Sequence, residues 1–180
     1  MKKLVLFFFV LSISVAAQSL PTSGKPFTIK YNPSDNNIFT TDSKLNLVYA
    51  FDYWSTKGIA SRGAASLFQN VLEPDEGKSN EIKMSKANGI FSAIITIPDS
   101  AQLLSYYITD GNNFDYNDKK TYTSYVFDNA GKPVKGARFR NIDFLIMSGA
   151  DNKTCIDEIE NELKDYPDYH LARFVLWDKK

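Results

Sequence analysis

Few side chains in this sequence are suited to catalysis. His170 is the single histidine among 180 residues, so a histidine-dependent serine or cysteine triad would have to use it. A zinc site with several histidine ligands is excluded for the same reason. Cys155 is the single cysteine, so no disulfide can form within the chain. We predict a thiol buried beside the apolar face of a helix, with a reactive or intermolecular thiol as the alternative.

Carboxylates are abundant, but no pattern marks a catalytic pair. Two acids a few ångströms apart suffice to cleave a glycoside, and the chain has 21 acidic residues. A deep cleft is needed to raise the pKa of one of them, and a small β-sandwich with short loops seldom provides one. We therefore expect a protein that is not an enzyme and has no catalytic residue and no cofactor.

The stretch DGNNFDYND, residues 110–118, crowds acids and amides into one loop. Its oxygen atoms could bind calcium, but its spacing differs from that of a helix-loop-helix calcium site. Asn and Asp side chains also hydrogen-bond to their own backbone in tight turns. The sequence favours a polar turn, and we predict no metal site.

Aromatic residues offer a different chemistry, which is the binding of a ligand on a ring face. The stretch VYAFDYW, residues 48–54, reads as a strand. Alternation places Tyr49, Phe51 and Tyr53 on one face, which is predicted to face the core, and Trp54 on the other. Trp54 and, at the end of the strand, Tyr53 are therefore the candidates for ligand binding. Packing in the core is the alternative for both.

The first 17 residues resemble a secretory signal peptide. Two lysines precede an apolar run over residues 4–11, and small residues follow at 15–17. We expect cleavage there and an exported protein, periplasmic or extracellular, without a membrane span. An uncleaved anchor is the alternative. Without Lys2 and Lys3, 19 of the 21 basic residues remain against 21 acidic ones, and no basic patch suggests nucleic acid as a partner.

Five segments have the composition of β-strands, the first of them also alternates with a period of two, and turn signals such as Asn88-Gly89 separate them. They are FTIKYN, LNLVYAFDYW, IFSAIITIP, LLSYYIT and TYTSYVF. We predict a mainly β fold, an antiparallel immunoglobulin-like β-sandwich over residues 27–135, after a flexible lead-in at residues 18–26. Residues 55–82 show no decisive pattern.

The apolar period changes from that of a strand to that of a helix in the segment 136–180, for which two to three α-helices are predicted. They cover about 136–149, 153–165 and 168 to the end. The third would be capped by Asp168 and would carry Leu171, Phe174 and Val175 on one face.

The stretch ELKDYPD between the second and third helices is similar to the junction between tetratricopeptide units. The helices resemble about one and a half such units, whereas an array needs about three. Either the helices pack onto the sandwich, or the chain is the front part of a longer protein.

Short motifs follow one another in a definite order along residues 27–128. They are Ile29-Lys30-Tyr31-Asn32, Tyr49 to Phe51 with Tyr53-Trp54, Ile82-Lys83-Met84, Asn88-Gly89, Ile97-Pro98, Tyr107, Asp110-Gly111 and Asp115-Tyr116-Asn117. In this order they resemble starch-binding carbohydrate modules and the wider early-set immunoglobulin-like group.

The resemblance implies that the protein binds polysaccharide, with sugar rings stacked on aromatic faces and Asp or Asn side chains bonded to the hydroxyls. It implies the ligand-binding residues Trp54, Tyr53, Asp115, Tyr116 and Asn117. The chain departs from the family pattern at Ile90-Phe91, where a Trp-rich step is usual, and at Tyr116, where the family has Asn.

A sandwich followed by tetratricopeptide-like helices on an exported chain is also similar to the N-terminal region of envelope thioredoxin-like reductases. The sequence has no Cys-x-x-Cys motif, so that resemblance does not imply redox activity for these residues. It implies an alternative function, a protein-interaction or spacer region that precedes a catalytic domain.

Overall fold

The computed structural model describes residues 19–35, 37–52, 79–118 and 121–178. The predicted signal peptide and the aromatic residues Tyr53 and Trp54 lie outside these ranges. Within the described ranges, the chain forms eight β-strands and three α-helices, and none of these helices is long and apolar enough to cross a membrane.

The strands are β1 (Pro26–Tyr31), β2 (Asn46–Phe51), β3 (Asn80–Lys83), β4 (Ser85–Ala87), β5 (Ile90–Thr96), β6 (Leu103–Thr109), β7 (Phe114–Asp115) and β8 (Tyr122–Tyr125). The helices are α1 (Ala137–Met147), α2 (Asn152–Asp165) and α3 (His170–Asp178). Each of the five predicted strand segments overlaps an observed strand. The short strands β3, β4 and β7 are additional.

The strands form two antiparallel sheets. One has the order β1-β5-β4, and the other has the order β3-β2-β6-β7, with β8 also paired to β6. Strands β7 and β8 share one edge of β6, since β8 pairs with residues 103–106 and β7 with residues 108–109. The predicted antiparallel β structure and C-terminal helices are confirmed, and the described chain carries more strand than helix.

Both sheets contribute to one hydrophobic core. Alternate side chains of β1 and β5 are buried, as the period of two requires. They meet buried residues of the other sheet, including Leu47, Leu104 and Ile108. Tyr49 and Phe51 pack against the same cluster, as predicted from strand alternation.

The turn between β4 and β5 is a two-residue hairpin at Asn88-Gly89. Both residues have positive φ, 51° and 79°, which suits the right-handed twist of the flanking strands. The turn sets the register in which Ala87 faces Ile90. The hairpin signal in the sequence is therefore confirmed.

The segment expected to be a flexible lead-in makes backbone hydrogen bonds to the β unit. Ser23 N donates to Phe127 O at 2.9 Å, and Phe127 N donates to Pro21 O at 2.8 Å. Gly24 N donates to Ile97 O at 3.0 Å. Residues 21–24 are therefore tied to the chain that follows β8 and to the end of β5.

The helix boundaries follow local signals in the sequence. Asp151 caps α2, and its carboxylate accepts the Thr154 N–H at 2.8 Å. Gly149 follows α1 with a φ of 81°, the conformation that commonly ends a helix. Helix α2 stops before Pro167. Helix α3 begins at His170, two residues after the predicted cap.

The predicted apolar face of α3 is divided in the structure. Ala172 and Val175 pack into the helical cluster with Ile142 and Ile159, whereas Phe174 is 68% exposed. The sequence of α3 carries two apolar stripes. In the stripe at 172, 175 and 176, Ala172 is buried and the other two residues are half-buried, because this stripe packs against the cluster at the spacing i, i+3, i+4.

Helix α1 packs against β6 and β8, so the helices contact the sheet. The hydroxyl of Tyr125 in β8 donates to the Glu158 carboxylate of α2. Asn141 of α1 donates to the Tyr125 oxygen at 3.4 Å. These polar contacts join one strand to two helices.

A second carboxylate of α2 holds the first turn of α1. Glu162 is fully buried, and its two oxygens accept the N–H groups of Gly136 at 2.6 Å and Arg138 at 3.2 Å. A negative charge at a helix N-terminus is stabilised by these donors. Removal from water nevertheless raises the pKa of Glu162, and the hydrogen bonds and Arg138 lower it by less.

The raised pKa of Glu162 predicts a pH dependence of stability. The folded state binds the proton of the Glu162 carboxyl more tightly than the unfolded state does. The stabilisation that comes from this protonated carboxyl is therefore fully present below its ordinary pKa of 4.5. It is then lost as the pH rises through the folded pKa. The stability advantage of Glu162→Gln over the wild type should therefore grow with pH, as measured by urea unfolding at several pH values. Glu160→Gln, at an exposed position of α2, controls for the loss of one charge. A difference between the two variants that does not change with pH would contradict the prediction.

Adjacent isoleucines of β5 test the assignment of the core. Ile95 is 3% exposed and Ile94 is 63% exposed. Ile95→Ala should reduce the free energy of unfolding by about 2 to 5 kcal/mol because it leaves a cavity. Ile94→Ala should change it by no more than about 0.5 kcal/mol. Urea unfolding measures both, and equal effects would show that the faces of β5 are misassigned.

Candidate functional site

Three aromatic side chains meet at the surface beside the β6–β7 hairpin. The ring centroids of Tyr107 and Tyr116 are 4.8 Å apart, and those of Phe114 and Tyr116 are 5.7 Å apart with nearly parallel planes. Tyr107 and Phe114 make an edge contact at 6.0 Å. Phe114 is 45% exposed, and the two tyrosines are half-buried. We refer to these three residues as the aromatic platform.

Strand alternation explains why these rings point away from the core. Phe114 lies opposite Thr109, and Asp115 lies opposite Ile108, whose side chain is in the core. Residues at alternate positions share a face, so Tyr107 and Phe114 fall on the face opposite to Ile108. The platform is thus built on the outer face of the sheet.

The turn next to the platform is held by its own side chains. The Asp110 carboxylate accepts the N–H of Asn112 at 2.9 Å and of Asn113 at 2.7 Å. The hydrogen bond from Asn113 is the main cause that lowers the pKa of Asp110. Thr109 donates from its hydroxyl to the Asn113 carbonyl at 2.8 Å. This is the self-bonded polar turn that the composition of the loop favours.

Metal binding receives no support from the described part of the chain. Across residues 19–35, 37–52, 79–118 and 121–178, no group of three or more His, Cys, Asp or Glu side chains is placed to hold a metal ion. The oxygens of Asp110 are directed to the turn itself. The loop is a structural support for the platform.

Asp115, one of the predicted sugar-binding residues, is 1% exposed. Its Oδ1 accepts the Asn117 N–H at 2.9 Å, and its Oδ2 accepts the Tyr122 hydroxyl at 3.0 Å. The carboxylate therefore lies behind the platform and not on its surface. In this structure it bonds to protein groups.

The other predicted ligand residues are at the surface or outside the described ranges. Tyr116 belongs to the platform. Asn117 is exposed and adopts a left-handed conformation with φ of 52°, in a turn next to Tyr116. Tyr53 and Trp54 lie outside the described residues. The structure thus brings Tyr116 and Asn117 together at one surface.

The sequence does not predict Phe114 as a ligand-binding residue. It marks Tyr107 only as one of the short motifs that resemble starch-binding modules. The signal that could have identified Phe114 is its spacing of two from Tyr116, which places both rings on one side of a strand. That signal needs β7, a strand of two residues, to be recognised first.

The platform can bind a ligand through the apolar faces of its rings and the hydroxyl groups of its two tyrosines. Burial, followed by the charges of Tyr116 and Glu81, raises the pKa of Tyr107, so its hydroxyl stays protonated near neutral pH. A protonated tyrosine hydroxyl can both donate and accept a hydrogen bond. The rings provide stacking surfaces for flat apolar groups.

No family profile, curated protein or solved structure matches the chain. The functional interpretation therefore rests on the geometry of the described residues.

A second apolar surface lies on α3. Phe174 is 68% exposed, Trp177 is 82% exposed, and Leu171 is 37% exposed, at spacings of three residues. Arg173 is exposed on the same helix. We refer to these four residues as the α3 surface. Cys155, by contrast, is half-buried and packs against the helical cluster.

Proposed function

We propose that the protein is an exported, non-catalytic binding module that holds a polysaccharide on the aromatic platform. The observation that carries the proposal is the contact of Tyr107, Phe114 and Tyr116 at one partly exposed surface. Pyranose rings present C–H faces that pack against aromatic rings and hydroxyls that need hydrogen-bond partners. The platform offers both kinds of contact.

Amide side chains border the platform. Asn112 and Asn117 are exposed in the turns on either side of β7. Each amide provides two donors and one acceptor, which match the mixed donor and acceptor character of sugar hydroxyls. In this proposal the rings provide stacking contacts, and the amides select the orientation of the sugar.

A polymeric ligand fits this surface better than a free monosaccharide. Aromatic contacts contribute about 0.5 to 1.5 kcal/mol per pair, so three partly exposed rings give weak affinity. A polysaccharide repeats the bound unit and so raises its effective concentration at the surface. The signal-like N-terminus supports a location where such polymers occur outside the cytoplasm.

We also infer that the two sheets form the immunoglobulin-like β-sandwich suggested by the sequence. The inference is supported by the hydrophobic core that both sheets share and by antiparallel pairing throughout the described strands. Sandwich folds of this kind carry many functions, so the proposed activity depends on the platform and not on the fold.

Substitution of the platform rings should weaken binding. Phe114→Ala and Tyr116→Ala should each lower the affinity about two- to ten-fold because each removes a stacking face. Affinity electrophoresis in gels that contain soluble glucans or other polysaccharides measures the effect as reduced retardation. The matched control is Phe174→Ala, which removes a more exposed ring from α3 and should leave retardation unchanged.

Two outcomes would count against the polysaccharide proposal. One is unchanged mobility of the wild type across neutral, acidic and amino-sugar polymers. The other is retardation that Phe114→Ala and Phe174→Ala reduce equally, since binding would then not depend on the platform.

The alternative proposal is a protein-interaction or spacer region that precedes a catalytic domain. The observation that favours it is the α3 surface, which combines exposed Trp, Phe and Leu with Arg173. Trp and Arg are enriched among residues that dominate protein interfaces. A partner protein could bury this surface while the platform remains accessible.

Variants of the two surfaces, used in the opposite roles, test the alternative. The immobilised wild type would be exposed to the exported proteins of the organism that makes it, beside a Phe174→Ser/Trp177→Ser variant. A partner that uses the α3 surface should be retained by the wild type and by Phe114→Ala, and lost with the double variant. Retention that is equal on all three proteins would contradict this role for α3.

A further inference from the structure

The carboxylate of Asp115 bonds to both sides of the loop that carries Tyr116. One oxygen accepts the backbone N–H of Asn117, immediately after Tyr116, at 2.9 Å. The other accepts the hydroxyl of Tyr122, at the start of β8, at 3.0 Å. Phe114 and Tyr116 flank Asp115 in sequence, so an inward Asp115 directs both rings outward.

Tyr122 is a fixed anchor for this carboxylate. Its ring stacks on Tyr106 with centroids 5.0 Å apart and planes 7° apart, and the two residues face each other in the β6–β8 ladder. Burial and, next, the charge of Asp115 raise the pKa of Tyr106 to about 12. Burial and then the hydrogen bond to Asp115 raise the pKa of Tyr122. Tyr122 therefore remains a protonated donor.

The loop between the two anchors has a demanding backbone conformation. Asn117, Asp118 and Thr121 have φ values of 52°, 54° and 59°, in the left-handed region. A β-branched residue such as Thr121 adopts this region only where its surroundings enforce it. The Thr121 N–H donates to the Tyr116 carbonyl at 2.7 Å and closes the loop.

We propose that Asp115 is a positioning residue, which holds Phe114 and Tyr116 against Tyr107. It does so through its hydrogen bonds to the backbone N–H of Asn117 and to the hydroxyl of Tyr122. Asp115 does not contact the ligand. Its effect on binding rests on the proposed function of the platform, whereas its effect on the ring arrangement can be measured without a ligand.

The test compares two tyrosines of β8 that each donate to a carboxylate. Tyr122→Phe removes the hydroxyl that bonds to Asp115 and keeps the ring that stacks on Tyr106. Tyr125→Phe removes the hydroxyl that bonds to Glu158 of α2, on the other face of the strand. The two variants delete the same atom and differ in whether it supports the platform.

Nuclear Overhauser contacts between the Tyr107 and Tyr116 rings, in protein with labelled tyrosine, report the platform geometry. Tyr122→Phe should weaken or abolish these contacts, and Tyr125→Phe should leave them as in the wild type. In affinity electrophoresis, Tyr122→Phe should weaken binding about five- to ten-fold, the loss expected when one or two ring contacts are misplaced. Tyr125→Phe should bind like the wild type.

A second pair of variants distinguishes the loss of the Asp115 hydrogen bonds from a general loss of structure. Asp115→Asn keeps an acceptor for the Asn117 N–H and offers an amide to the Tyr122 oxygen, so it should retain most of the ring contacts. Asp115→Ala removes both bonds and should lose them. Ring contacts that survive in Asp115→Ala, or that respond equally to Tyr122→Phe and Tyr125→Phe, would overturn the proposal. If the wild type binds no polysaccharide, the proposed function fails, and the ring contacts still decide the role of Asp115.

Discussion

Strand β6 is covered on both faces, and the rest of the structure depends on this constraint. Leu104 and Ile108 enter the core that the two sheets share. Leu103 and Ser105 are buried on the opposite face, where α1 packs. Further along that face, Tyr107 emerges from the covered region and forms part of the platform. One strand thus connects the core, the helical segment and the candidate binding surface.

Polar contacts from one face of α2 join it to the sheet and to α1. Glu158 and Glu162 are four residues apart, so their side chains project in the same direction. One bonds to a tyrosine of β8 and the other to the first turn of α1. Such bonds define the orientation of the helices more sharply than apolar contacts do, because hydrogen bonds are directional.

The long elements could be predicted from sequence because each contains its own signal. Strand β1 alternates with a period of two, the segments of β2, β5, β6 and β8 are rich in Tyr, Phe, Ile and Thr between turn signals, and Asp151 and Gly149 mark helix ends. Strand β4 has three exposed residues, and it is a strand because it pairs with β5. Its existence depends on a partner that lies beyond the reach of a local pattern.

The candidate site shows a similar limit. Tyr116 and Asn117 could be found from residue type, but residue type does not reveal that the neighbouring Asp115 faces inward. That orientation follows from the pairing of Asp115 with Ile108 in a strand of two residues. The same limit applies to α3, where packing against α1 and α2 decides which of two apolar stripes is buried.

The hydrogen bonds between residues 21–24 and Phe127 have a consequence for the order of folding. They join the first described residues to the chain that follows the last strand, so this contact closes a loop that spans the whole β unit. Closing so long a loop carries an entropic cost, and folds rich in such distant contacts assemble slowly. The β unit can therefore be completed only after its entire length has been synthesised. Until then, the backbone groups of Pro21, Ser23 and Phe127 that pair in the native state remain open to other chains.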